Sequence, residues 1–162
     1  MTLVLFRIDE RLLHGQVIVG WGMRLGIELY VIVDDELAES EWERDLYSAG
    51  LPEGTTAEFV SVEQAIDLFG ELDARAARGA LLTRGTAEMR SLADAGLLLD
   101  RRVNLGGLHA AEDRRRVLTY VHLGQREAED LEAIQKASIG VSARDLPAGR
   151  EVDLESLIDV LE

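Results

Sequence analysis

Glu28-Leu-Tyr-Val-Ile-Val33 is an apolar, β-branched run that breaks off abruptly at Asp34-Asp35-Glu36. A short apolar run without polar alternation reads as a strand buried on both faces, the kind that sits inside a parallel sheet. Parallel neighbours need long crossovers, so the flanking segments should supply helices. Upstream, Thr2–Ile8 is a strand candidate and Gln16–Leu25 a helix candidate stopping at Gly26. Downstream, residues 38–49 read as a helix ending at Gly50, with Pro52 just beyond.

The same alternation continues to the end of the chain. Ala57–Val60 is a short strand, and Ser61 can cap the next helix with Gln64 at the capping-box position. Strands are expected at Ala80–Thr83, Arg102–Leu105, near Val117–Leu123 and at Gly140–Arg144. Helices are expected at Thr86–Ala95 (ending at Gly96), Glu127–Ala137 and Leu154–Leu161, and Gly106-Gly107 reads as a turn. The expected fold is therefore α/β, an open, mainly parallel sheet of about seven strands with helices on both faces. With no internal repeat and no Pro-, Ser- or Gly-rich linker, residues 1–162 read as one domain.

Composition narrows the function. The chain has no cysteine, which excludes disulfides, thiolate metal sites and thiol nucleophiles. Its formal net charge of −14 argues against a nucleic-acid partner, which needs clustered Lys and Arg. Residues 1–30 are neutral, with Arg7, Arg11 and Arg24 balancing Asp9, Glu10 and Glu28, so the whole deficit lies further on. Residues 100–116 carry five arginines against three acids and, if they meet the first segment, would form an anion-tolerant patch. No signal-like or membrane-spanning run is present, so the expected location is the cytoplasm.

In this fold class, ligands bind beyond the carboxyl ends of the strands, where loops enter helix N-termini that favour anions. His14 and Gly15 occupy that position after the first strand. A neutral imidazole nitrogen is a competent nucleophile that can accept a phosphoryl group and pass it on. Arg11 can bind phosphate oxygens, the backbone at Gly15 and Gln16 can donate to them, and Asp9 can orient His14 or Arg11. From the residues alone, a surface His14 and a plain Asp9–Arg11 ion pair are the commoner reading. Arg7, Asp34 and His109 are candidates for the pocket rim. Asp34 and Asp35 would repel phosphate, which suggests a structural or orienting role. His122 reads as a satisfied strand histidine, Trp21 and Trp42 as packing residues, and Arg114-Arg-Arg116 as a solvated charge run. Histidine spacing gives no metal motif, and neither metal nor cofactor is expected.

The segment Arg7-Ile-Asp-Glu-Arg-Leu-Leu-His-Gly-Gln-Val17 resembles the active-site loop of the enzyme IIB component of the mannose/fructose/sorbose family of the bacterial phosphoenolpyruvate-dependent sugar phosphotransferase system. Val31-Ile-Val-Asp-Asp-Glu36, Gly50-Leu-Pro-Glu-Gly54, Asn104-Leu-Gly-Gly-Leu-His109 and Glu129-Asp-Leu-Glu-Ala133 agree in order and spacing, so the resemblance spans essentially the whole chain. It implies a phosphocarrier that takes phosphate from a histidine of a IIA partner. The phosphate would pass to a hexose-type sugar moving through membrane IIC and IID subunits, which would tether the chain peripherally to the membrane. It also implies His14 as the phosphorylated residue and Arg11 as its phosphate contact. A regulatory homologue using the same His14, and a reversible small-anion or nucleotide binder, remain open on the sequence, as does homo-oligomerisation.

Overall fold

The computed structural model describes residues 1–162, and its first strand, β1 (Leu3–Ile8), lies at the centre of the sheet. A π-helical segment (Gln16–Gly22) runs on into α1 (Met23–Leu25) and leads to β2 (Leu29–Val33). Then follow α2 (Asp35–Glu39), α3 (Glu41–Ala49), β3 (Thr56–Val60), α4 (Val62–Leu72), β4 (Gly79–Thr83) and α5 (Thr86–Asp94). The second half contains β5 (Arg102–Leu105), β6 (Arg115–Leu118), β7 (Val121–Leu123) and α6 (Gln125–Lys136). It closes with β8 (Gly140–Ala143), β9 (Val152–Asp153) and α7 (Leu154–Leu161). The sheet order is β3-β2-β4-β1-β5-β8-β9, parallel except for the antiparallel β8–β9 edge.

All five residues of β2 are buried because the sheet is covered on both faces. Leu29, Val31 and Val33 join the larger core beneath α4, α5, α6 and α7, while Tyr30 and Ile32 join a smaller one. That smaller core holds Leu12, Leu13, Val17, Trp21 and Leu37 from the first loop, the π-helix and α2. The strict alternation along β2 fixes its register, since a one-residue slip would exchange the two cores. No helix is long and apolar enough to cross a membrane.

Four sequence expectations need correction. The segment Gln16–Leu25 begins as a π-helix, consistent with its β-branched Val17, Ile18 and Val19 and its two glycines, which favour the α-helix weakly. It ends as expected at Gly26, whose φ of 65° suits glycine. Residues 38–49 are not one helix: the Asp34 side chain caps α2 from further upstream, and Ser40, in extended conformation, separates it from α3. The stretch near Val117–Leu123 turns back at Thr119 and Tyr120 as the hairpin β6–β7, outside the main sheet. The seventh strand is instead the two-residue β9. Finally, Trp42 packs against nothing substantial and is 70% exposed on α3. The capping box at Ser61 and Gln64 is present as expected.

β1 lies between β4 and β5, so the chain leaves it toward one side of the sheet and later returns on the other. Such a switch opens a crevice beyond the strand's carboxyl end. The loop of Asp9 to Gly15 occupies that crevice.

Candidate active site

Asp9 is the first residue beyond β1, and its backbone N–H donates to the Thr83 carbonyl at the end of β4 (2.9 Å). On the other side Glu10 N–H donates to the Gly107 carbonyl (2.8 Å), so the loop is held between β4 and the segment after β5. Leu12 then adopts a φ of 55°, uncommon for a side-chain-bearing residue, and its side chain is fully buried in the smaller core. That anchor turns the chain so that His14 faces back toward Asp9.

The Asp9 carboxylate, with no solvent exposure, collects three basic side chains. Arg7 Nη2 donates to Oδ2 at 3.1 Å, Arg11 donates through Nε to Oδ1 and through Nη2 to Oδ2, both at 2.9 Å, and His14 Nε2 lies 3.2 Å from Oδ2. Burial by itself would raise the carboxyl pKa, but the bonds from His14 and Arg11 and the charge of Arg7 outweigh it. Asp9 is thereby held well below the usual carboxylate range and stays ionised, an acceptor only. The proton between it and His14 therefore belongs to Nε2, and in the neutral ring the free lone pair belongs to Nδ1.

Arg7 is not on the rim, where it was expected; it is fully buried beneath the loop. It donates to Asp9, to the Asn104 side chain, to the Arg144 carbonyl (2.8 Å) and to the Asp145 carbonyl (3.1 Å), and its guanidinium packs 5.2 Å from the Trp21 ring. Burial lowers its pKa from the ordinary arginine value despite the charge of Asp9. Arg11, partly exposed, also donates to Gln16 Oε1 (2.7 Å), and its Nη2 lies 3.6 Å from Asp145 Oδ1. Burial opposes its charge, but Asp9 and, to a lesser extent, Asp145 together outweigh it and raise its pKa. Gly15 begins the π-helix without a side-chain cap, and a methyl placed there would meet only open space.

The remaining rim candidates lie apart from this group. Asp34 caps α2 through the Leu37 N–H (3.0 Å) and pairs with Arg84 (3.1 Å), at the end of β2 two strands from β1. His109 is largely exposed, with Nδ1 2.9 Å from Glu10 Oε2, and it stands next to the loop through that residue rather than through His14. Arg114 is no solvated charge: it bridges Glu10 and Glu127. The two arginine-bearing segments do meet where β1 pairs with β5; Arg101, Arg102 and Arg114 are each bound to carboxylates, while Arg115 and Arg116 are exposed and paired with none. His122 bonds the Leu108 carbonyl (3.1 Å). No three His, Asp or Glu side chains are grouped to hold a metal ion.

Sequence reasoning missed Asn104, Gly106 and Asp145. A methyl at Gly106 would sit 2.5 Å from Asp9 Oδ2 and from Arg7 Cζ, and one at Gly107 would sit 2.8 Å from Arg11 Nε. The glycine pair is thus the surface against which Arg7, Asp9 and Arg11 lie, not only a turn. Asp145 follows a strand end beside β5, and that position was its available signal.

Known proteins are similar to this chain over most or all of its length. The N-acetylgalactosamine-specific phosphotransferase enzyme IIB component 1 of Escherichia coli (strain K12) is 30% identical over 157 residues, covering 93% of this chain and 94% of that protein. The mannose-specific EIIAB component of the same organism is 27% identical over 162 residues, 98% of this chain but 50% of that protein. The crystal structure of the IIBSor domain of the sorbose permease from Klebsiella pneumoniae has the same fold, with a TM-score of 0.90 at 21% identity, covering 100% of this chain and 99% of that one. The family described as PTS system sorbose subfamily IIB component matches residues 3–162. The chain therefore belongs to the sorbose-subfamily IIB components of the phosphotransferase system, a family of sugar phosphotransferases.

Proposed function

We propose that His14 is the phosphoryl carrier of this IIB protein, and that Nδ1 is the atom that carries the group. The observation behind this reading is the 3.2 Å contact of His14 Nε2 with the buried, ionised Asp9, which leaves Nδ1 as the unprotonated nitrogen. In the first step Nδ1 attacks the phosphorus of a phosphohistidine on a IIA partner. The donor N–P bond breaks as the new one forms, and the donor imidazole leaves with its electron pair. The His14 ring becomes cationic, with Nε2–H still directed at Asp9, which stabilises that charge.

In the second step a sugar hydroxyl attacks the phosphorus, the His14 N–P bond breaks, and the hydroxyl proton passes to solvent. His14 returns to its neutral form. Phosphoryl transfer asks mainly for positioning and for stabilisation of the oxygens. Arg11 and the backbone around Gly15 and Gln16 are the groups assigned to that task in this reading. A IIA donor is supported by the mannose-specific EIIAB relative, of which this chain matches half the length. Membrane IIC and IID subunits are the route proposed for the sugar, and they give the chain its peripheral position at the membrane.

The test is phosphorylation by phosphoenolpyruvate, the general phosphotransferase proteins and a IIA, followed by intact-mass measurement. One acid-labile phosphoryl group that disappears in His14→Ala supports the reading. Labelling that persists unchanged in His14→Ala overturns it.

A further inference from the structure

We propose that Asp145 is a positioning residue that competes with the phosphoryl group for Arg11, keeping that group loosely held and transferable; this deepens the reading of His14 as the carrier. Asp145 follows β8, and its carboxylate faces Arg11 Nη2, the same nitrogen that donates to Asp9. Its structural ties run through its backbone carbonyl, which accepts from Arg7 Nη2 (3.1 Å) and Trp21 Nε1 (2.9 Å). Its carboxylate does something separate. Oδ2 accepts from Gln16 Nε2 (3.3 Å), and Oδ1 faces Arg11 Nη2 at 3.6 Å.

The two carboxylates hold Arg11 unequally. Asp9 takes two bonds of 2.9 Å, whereas Asp145 Oδ1 is enclosed yet makes no hydrogen bond. An acceptor left in that state carries a desolvation cost and holds Arg11 by charge alone. Nη2, which Asp145 faces, also donates to Asp9 Oδ2, and Nη1 donates to Gln16 Oε1. A phosphoryl oxygen thus reaches Arg11 by displacing Asp145 and Gln16 from these terminal nitrogens while Nε stays on Asp9. Whatever attraction Asp145 offers Arg11 in the free protein must be given up when phosphate takes its place. The same carboxylate also repels the incoming dianion. Both effects weaken phosphoryl holding, which favours onward transfer.

The pair is about one-third exposed, so the effect is that of a screened ion pair, about two- to fivefold in an equilibrium constant. Wild type, Asp145→Asn and Asp145→Glu are equilibrated with phosphoramidate at a fixed excess of ammonia. The ammonia–phosphorus bond breaks, the His14 Nδ1–phosphorus bond forms, and ammonia is released. The ratio of phosphorylated to free chain, read by intact mass, then reports phosphoryl holding directly. Asp145→Asn is expected to raise that ratio about two- to fivefold, Asp145→Glu to return it toward wild type, and the gain from Asp145→Asn to be smaller in an Arg11→Met background, where only the repulsion of the dianion is relieved. An unchanged or lowered ratio in Asp145→Asn, or the same gain without Arg11, overturns the proposal while leaving His14 as carrier. Wild type that takes no phosphoryl group on His14 overturns both.

Discussion

His14 Nε2 and Asp9 Oδ2 lie 3.2 Å apart, and the same oxygen receives Nη2 of Arg7 and of Arg11. One buried carboxylate thus sets the ring orientation of His14, neutralises a fully buried arginine, and fixes the inner edge of a second. Its neighbours are supplied by β1, the following loop and the π-helix start, so local sequence builds most of the site. The remaining walls come from the segments after β5 and β8.

Asp9→Asn removes the only carboxylate that Arg7 touches, leaving a buried cation bound to neutral partners. Unpairing a buried charge costs about 3 kcal/mol or more. Urea unfolding of the variant should show a loss of that size, together with a markedly reduced extent of His14 phosphorylation. A stability loss below about 1 kcal/mol would mean that Asn104 and the carbonyls of Arg144 and Asp145 suffice for Arg7.

The same pair predicts a pH dependence. Asp9 is held below its ordinary range in the folded chain, so its stabilisation is complete above the unfolded value of about 3.9 and fades as pH falls below it. The stability gap between wild type and Asp9→Asn should therefore be widest near neutral pH and narrower at about pH 3. Parallel urea titrations at the two pH values check this, and an equal gap at both would contradict it.

Gly106→Ala places a methyl where Arg7 and Asp9 already lie, so one of the two must move. Overpacking of this kind costs about 1–3 kcal/mol. The expected outcome is a thermal destabilisation accompanied by loss of phosphorylation, because the displaced group is the one that orients His14. At Gly107→Ala the nearest atoms met belong to the Arg11 guanidinium, partly exposed and able to shift, so the change should be milder on stability.

Trp21→Phe keeps the ring but removes the 2.9 Å bond to the Asp145 carbonyl. Deleting one such bond costs about 1 kcal/mol. Amide hydrogen exchange should show faster opening of residues 144–149 in this variant while β1 and β2 stay protected.

Much of this was legible in the sequence, for reasons tied to particular residues. The uninterrupted run at β2 and the Ser61–Gln64 cap are local signals, and local rules read them correctly. Asp9, Arg11 and His14 lie within six consecutive residues, so their proximity follows from chain connectivity. Asn104 and Asp145 reach the same site across 97 and 138 positions from Arg7, a closeness created only by the parallel register of β1, β5 and β8. The burial of Arg7 also escaped, since a charged strand-end residue ordinarily points outward unless a partner such as Asp9 is waiting inside. Trp42 was misread because a tryptophan is usually packed; its helix is short, and its apolar side is left uncovered.

The assignment of the phosphoryl group to Nδ1 of His14 is tested most directly by nitrogen NMR of the phosphorylated chain labelled with [15N]histidine. The account predicts phosphorus coupling at Nδ1 of His14, with Nε2 still protonated and protected by Asp9. Coupling at Nε2, or at His109 or His122 instead, would contradict it.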